Sequence, residues 1–326
     1  MLWSVVAVGA ELFPGPAGAQ SPSAVADGRL ITGSVAAAEG ARAYTLFVPA
    51  RMPAAGARAL IVFLHGCTQD AADAMRGVGL NEIAARDGFL VLYPEQRADA
   101  HPQKCWQWYD DAQTTRGAGE VAILDAMVHE VSAAQQVDAA RIGLMGISAG
   151  GAMASALAVA YPETFARLAV HSGLPAGAAH DVGSALAAMR GGAADPDALG
   201  ATAFRTMGPR AHAIPTIAFH GAADPVVSWR NLSATSRQWA VTNALALAAP
   251  APGAEPTERD TVHTPAKYDA ERLVWRTAGG AVLAESWKVA GLGHAWSGGS
   301  SAGTFTDPKG PPATEIMVRF LLGGTK

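Results

Sequence analysis

Charge is scarce in this chain. Asp, Glu, Lys and Arg make up 16% of 326 residues, the formal net charge is −4, and Lys and Arg never form a run. A phosphate-backbone partner needs a basic footprint, so nucleic acid is excluded as a partner. Cysteine is scarcer still: Cys67 and Cys105 stand alone, with no Cys-x-x-Cys pair, too few for a thiolate zinc site. They are read as one disulfide or as two buried free thiols. In an exported chain the bridge would close a loop of roughly 39 residues and stabilise by roughly 3–4 kcal/mol in the chain-entropy model. No apolar run approaches the roughly 20 residues of a membrane-spanning helix, so no membrane span is expected. Internal repeats and a clear interdomain linker are also missing, and with 50% hydrophobic residues a single α/β domain over residues 27–326 is expected. Nothing in the sequence specifies an oligomeric state.

Residues 1–20 run through an apolar stretch, Met1 to Ala10, to the small residues Ala17-Gly18-Ala19. This reads as an apolar core followed by a cleavage site, although no Lys or Arg precedes it and Glu11 interrupts it. The expectation is a signal-peptide remnant whose start lies upstream, with an unstructured tail as the alternative. The matching location is secreted or periplasmic.

Glycine, by contrast, is plentiful, at 36 residues, and one placement stands out: Gly146-Ile147-Ser148-Ala149-Gly150. It lies between an apolar strand pattern, Arg141–Ile147, and a helix pattern from Ala149 to Tyr161 whose first turn is glycine and alanine. Strand, tight turn and helix in that order make a nucleophile elbow, in which the residues two before and two after the serine have no room for side chains. Such a serine holds strained backbone angles at the tip of a sheet, with its hydroxyl exposed.

Other segments supply the rest of the sheet. Leu60–His65 and Phe89–Tyr93 are nearly unbroken apolar runs of the kind covered on both faces; Phe165–His171, Thr216–His220, Tyr268–Trp275 and Val282–Val289 are further strands, and Ala43–Val48 reads as an edge strand ending at Pro49. Helices are expected over Met75–Arg86, Gly119–Ala134, Asn231–Val241 and Ala313–Leu322. Alternation of this kind implies right-handed crossovers and a mostly parallel central sheet with helices on both faces. Leu174–Arg210 breaks the alternation and reads as a small cap-like insertion holding a short helix, Ser184–Arg190, while the proline-rich Ala246–Asp260 reads as a surface loop.

A serine hydroxyl is a weak nucleophile until a base takes its proton, so the elbow calls for an acid and then a histidine on loops leaving later strands. Asp224 follows the Thr216–His220 strand and His294 follows the Val282–Val289 strand. Ser148, Asp224 and His294 are therefore the candidate catalytic residues, ahead of Asp195, Asp197, His171, His220 and His263. Two N–H donors for an oxyanion are assigned to Ala149, directly after the nucleophile, and to Cys67, in the loop after Leu60–His65. A Cys67–Cys105 bridge would clamp that loop. Trp108 and Trp296 are candidates for an apolar substrate-binding wall, with core packing the alternative for Trp108. This chemistry requires no metal and no organic cofactor.

With His65-Gly66-Cys67-Thr68-Gln69, Tyr93-Pro94-Glu95-Gln96, Cys105-Trp106-Gln107-Trp108, the elbow, and Gly293-His294-Ala295-Trp296-Ser297-Gly298-Gly299, the chain resembles the polyhydroxybutyrate depolymerase family of esterases, which includes feruloyl and acetylxylan esterases. The resemblance implies an exported α/β-hydrolase that cleaves carboxylic esters through a serine acyl-enzyme, and it favours the Cys67–Cys105 bridge. It implies short-chain polyhydroxyalkanoates or their oligomers as the polyester substrate, with plant cell-wall esters as the alternative. Family members often carry a polymer-binding domain after the catalytic part; the sequence given ends at Lys326, so soluble oligomers, amorphous polymer or small esters are expected rather than crystalline polymer. A non-catalytic binding protein on the same scaffold is the alternative of another class, against which the intact serine, acid and histidine argue.

Overall fold

The computed structural model describes residues 27–37 and 40–323. The expected signal-peptide remnant over residues 1–20 lies outside them. Among the described residues, ten strands form one sheet: β1 (Gly28–Ala37), β2 (Gly40–Pro49), β3 (Arg58–Leu64), β4 (Leu90–Pro94), β5 (Val137–Ile147), β6 (Arg167–His171), β7 (Thr216–Gly221), β8 (Glu258–Val262), β9 (Ala270–Arg276) and β10 (Val282–Val289). Their order is β1-β2-β4-β3-β5-β6-β7-β10-β9-β8. The six from β4 to β10 are mutually parallel, and an antiparallel ribbon flanks them on each side.

Side chains alternate across the central strands and so build two cores. Leu60, Val62, Leu64, Leu144 and Val170 face helices α4 (Gly119–Gln135), which the one-turn α3 (Asp111–Thr114) precedes, and α5 (Ala149–Ala160), joined there by Trp239 of α8 (Arg230–Ala246). Ile61, Phe63, Met145, Ile217 and Phe219 face α1 (Ala71–Val78), α2 (Leu80–Asp87) and α9 (Ala313–Leu321). A strand buried on both faces needs apolar residues at every position, which is why these segments read as unbroken runs.

The structure departs from the sequence reading at the less apolar segments. Ala43–Val48 is not an edge: β2 pairs with β4 on one side and with β1 on the other, and β1, half of whose residues are exposed, is the edge strand. The helix expected over Met75–Arg86 is two, broken at Gly79, whose φ of 69° is open to glycine at no steric cost. Part of the proline-rich loop pairs as β8 on the opposite edge. In the cap-like stretch, α6 (Val182–Gly191) is joined by an unforeseen α7 (Pro196–Met207), which packs on α8 and α5 as a member of the helix layer. Gly200 permits that approach, since a Cβ there would stand 2.7 Å from the Gln238 carbonyl oxygen.

One side chain ties α8 to the sheet. Asn243, fully buried, accepts from the Ile214 N–H at 2.7 Å and donates to the carbonyls of Ile214 at 2.8 Å and Leu283 at 2.7 Å. Asn243→Ala would orphan all three backbone groups in a dry site, and a loss of about 3–5 kcal/mol in urea unfolding is expected. A loss below about 1 kcal/mol would mean that water replaces the amide.

Candidate active site

The elbow forms where β5 runs into α5, with Ser148 at φ 55°, ψ −124°. Both flanking glycines are forced. A Cβ on Gly146 would stand 2.4 Å from the Gly150 carbonyl oxygen, and one on Gly150 2.1 Å from that of Leu64. The Ser148 N–H donates to the His171 carbonyl at 2.9 Å, so the end of β6 holds the strained residue in place.

A second close crossing brings in the other two residues. A Cβ on Gly221, at the end of β7, would stand 2.1 Å from the Leu292 carbonyl oxygen, so the loops after β7 and β10 are in backbone contact. Ala222 and Ala223 N–H groups donate to the Val289 and Leu292 carbonyls, at 2.8 and 3.0 Å. Asp224 and His294 leave those loops toward each other. His294 Nδ1 lies 2.7 Å from Asp224 Oδ2 and Nε2 lies 3.0 Å from Ser148 Oγ. A proton on Nδ1, given to the carboxylate, leaves Nε2 free to accept from the serine hydroxyl.

The Asp224 side chain has no solvent-exposed surface. Burial by itself would raise its pKa, but hydrogen bonds from His220 and His294, the nearby His294 imidazole and the Val227 N–H outweigh it and hold the carboxyl well below the usual range. Oδ1 accepts from Val226 and Val227 N–H groups at 2.8 and 2.9 Å. His220 Nε2 donates to the Val227 carbonyl at 2.9 Å and lies 3.3 Å from Asp224 Oδ2. His220 is thus a brace for the acid and does not reach Ser148 as a hydrogen-bond partner.

The loop after β3 lies against the nucleophile: a Cβ on Gly66 would be 3.5 Å from Ser148 Cβ. Cys67 is bonded to Cys105. The Gly66 N–H donates to Gln69 Oε1 at 2.9 Å, Gln69 Nε2 to Asp73 at 3.0 Å, and the Thr68 N–H to the Gln103 carbonyl at 2.6 Å. The Cys67 and Ala149 N–H groups find no acceptor among the described residues, which is the arrangement an oxyanion site needs. Behind the loop, the buried His65 donates through Nδ1 to the Gly66 carbonyl at 2.7 Å and accepts at Nε2 from the Gln96 N–H at 3.1 Å.

Ser148 opens into a cleft of about 340 Å³ lined by apolar Ile147, Met189, Val226 and Phe305 and by Cys67, Gln69 and Gln103. A larger hollow of about 780 Å³, between Arg167, Pro215 and Phe320, lies elsewhere and contains none of these groups. Neither tryptophan expected at the substrate wall is there. The Trp296 ring is fully buried, donates to Thr314 Oγ1 at 2.8 Å and stacks on His171 at 4.7 Å, while Trp108 is 7% exposed and packs edge-on against Tyr109 in the core. Closeness to His294 in sequence put Trp296 near the site, but its large apolar area is satisfied under the sheet edge. Phe305 occupies the expected place instead, 45% exposed, with its ring edge-on to His294 at 6.2 Å. The only sequence signal for it is a lone aromatic in a Gly/Ser/Thr loop.

Three comparisons bear on this geometry. The protein-family model described as Esterase PHB depolymerase matches residues 42–263. Among curated proteins, the chain is 32% identical over 249 residues to poly(3-hydroxyalkanoate) depolymerase C of Paucimonas lemoignei, covering 76% of this chain and 56% of that protein. It is 37% identical over 134 residues to feruloyl esterase B of Neurospora crassa, covering 41% and 44%. The chain thus spans about half the length of these relatives. An acetyl xylan esterase structure from Aspergillus awamori matches with a TM-score of 0.69 over 90% of this chain and 99% of that one, at 18% identity, a likeness of the α/β-hydrolase fold.

The buried imidazoles make stability acid-sensitive. Burial lowers the His65 pKa from 6.5 to about 4, and His171, whose Nε2 accepts from the Ser297 N–H at 3.1 Å, is lowered well below its ordinary value by burial. Between pH 6.5 and about 4 the unfolded chain binds a proton at His65 that the folded chain does not, so stability falls as pH falls through that window, by roughly 3 kcal/mol for His65. Urea midpoints at pH 7, 5.5 and 4 should decline, and His65→Gln should start lower but decline less; a flat wild-type profile contradicts this account.

Proposed function

The chain belongs to the Esterase PHB depolymerase family, and from that premise we propose that it hydrolyses carboxylic esters through an acyl-enzyme on Ser148. The supporting observation is the Ser148–His294–Asp224 relay, aligned at 3.0 and 2.7 Å beside two uncommitted N–H groups and an apolar cleft. As Ser148 Oγ adds to the ester carbonyl carbon, its proton passes to His294 Nε2. The buried carboxylate of Asp224 keeps the ring oriented and stabilises the imidazolium. Cys67 and Ala149 N–H groups receive the charge that develops on the carbonyl oxygen. Collapse of the tetrahedral adduct expels the alcohol with the proton from His294, and water then repeats the sequence in reverse to free the acid.

The substrate class we propose is a short-chain polyhydroxyalkanoate or its oligomers. Met189, Val226 and Phe305 give the acyl unit an apolar wall without a deep aromatic slot, and a relative is named as a depolymerase of this polyester class. We place the enzyme in a secreted or periplasmic setting, since the Cys67–Cys105 bridge suits an oxidising compartment, and no helix among the described residues is long and apolar enough to cross a membrane.

Ser148→Ala should lose p-nitrophenyl butyrate hydrolysis by about 10⁴-fold or more while keeping a native circular dichroism spectrum. Near-normal turnover would remove Ser148 from the mechanism. Clearing of amorphous polyhydroxybutyrate should exceed release of ferulate from methyl ferulate and of acetate from acetylated xylan; the opposite order would move the substrate to plant cell-wall esters.

A further inference from the structure

One fully buried carboxylate takes no part in the relay. Glu120, in the first turn of α4, has a side chain with no exposed surface. Every polar group facing it is a donor. Arg42 reaches Oε1 through a single contact at 3.3 Å, and its own Nε has no partner among the described residues. The other donors are Gln107, through its N–H to Oε2 at 2.8 Å and its Nε2 to Oε1 at 3.5 Å, and Gln96 Nε2, in a short contact, to Oε1.

A buried carboxylate has a large desolvation penalty, and one imperfect contact with Arg42 offsets only part of it. The remainder falls to the Gln96 and Gln107 donors, so moving their loop away strands a charge in a dry site. That loop leads to the oxyanion side of the cleft by two routes. Gln96 Nε2 also donates to the Cys105 carbonyl at 3.0 Å, and Cys105 is bonded to Cys67. The Gln96 N–H holds the His65 ring, which in turn holds Gly66.

We propose that Glu120 is a positioning residue for the Cys67 N–H, acting through Gln96, Gln107 and the Cys105–Cys67 bond. The proposal rests on the ester-hydrolase reading given above. An amide at position 120 keeps the size of the side chain but turns one end into a donor facing donors, so Glu120→Gln releases the loop without emptying the site. Deleting an oxyanion donor typically lowers kcat about 10²–10³-fold, and displacing one should lower it about 10- to 100-fold with KM changed less than about threefold.

The test measures kcat per serine labelled by a fluorophosphonate, in wild type, Glu120→Gln, the pair Cys67→Ala/Cys105→Ala, which keeps the backbone N–H, and the triple variant. A merely structural role would reduce the labelled fraction but not the rate per labelled serine. The expected result is the 10- to 100-fold loss per labelled serine in Glu120→Gln, shrinking by at least about threefold once the disulfide is already gone, with the link through His65 left in place. Wild-type kcat per labelled serine in Glu120→Gln, or the same loss in full without the disulfide, overturns the proposal. Should Glu120→Gln not fold, Gln96→Met cuts the link to the Cys105 carbonyl and is judged by the same criteria. A wild type that neither labels nor turns over esters defeats the functional reading and this proposal together; an active wild type beside an unimpaired variant defeats this proposal alone.

Discussion

The close passage of the first turn of α5 over the ends of β3 and β5 governs the rest of the molecule. Gly150 lies so near the Leu64 and His65 carbonyls, and Gly146 so near Gly150, that neither position has room for a methyl group. With the helix pressed this far into the sheet edge, the chain between them has only one way round, and Ser148 is driven to positive φ. Helix α5 can sit there because it is almost wholly buried alanine and glycine, with a larger apolar side chain only at Met153, Leu157 and Val159. Packing and chemistry are here the same constraint, since the crowding that excludes side chains also lifts the serine hydroxyl out of the sheet.

The carboxyl edge of the sheet is organised by histidines that are not in the relay. His65 directly follows β3, and His171 and His220 lie at or near the ends of β6 and β7; all three are buried. Each has a ring nitrogen bonded to loop backbone, His65 to the Gln96 N–H and His171 to the Ser297 N–H in other loops, and His220 to the Val227 carbonyl in the loop that follows its own strand. An imidazole suits this task because one nitrogen can accept while the other donates, so a neutral ring crosslinks two loops in a dry place. The loops so fixed carry the proposed oxyanion donors, the segment after His294, and Asp224. Of the rivals of His294 in the sequence, His171 and His220 are thereby accounted for as anchors, while His263 is exposed and pairs with Asp269 at 2.8 Å.

The loop of the proposed oxyanion donors has a different support, covalent at Cys67–Cys105 and ionic at Glu120. Backbone donors cannot be improved by changing their own side chains, so their accuracy depends on what holds the loop from behind. Gln69 extends the same support forward, joining Gly66 to Asp73 and, through Asp73, to the Thr304 backbone beside Phe305. The apolar wall of the cleft and the proposed oxyanion donors are one connected unit.

What the sequence determined by itself was whatever depends on local sterics and on the order of elements along the chain. The elbow was legible because two glycines at fixed spacing have one steric explanation, and the parallel strands because double-sided burial leaves unbroken apolar runs. The placing of Asp224 and His294 after later strands followed from order alone, and the structure brings both to Ser148. The exposed edge strand β1, the second helix of the cap-like stretch and the apolar wall of the cleft were decided only by tertiary structure. β1 is stabilised by pairing with β2 rather than by its own pattern, and α7 by packing on α8. Phe305 holds the place that sequence proximity gave to Trp296. Which side of the chain a ring occupies depends on whether the core beneath has room for it, a matter of Phe63, His171 and Thr314, residues far from it in sequence. Glu120 was invisible for the same reason: one acidic residue at a helix start reads as a dipole partner, and only the fold brings Arg42, Gln96 and Gln107 around it.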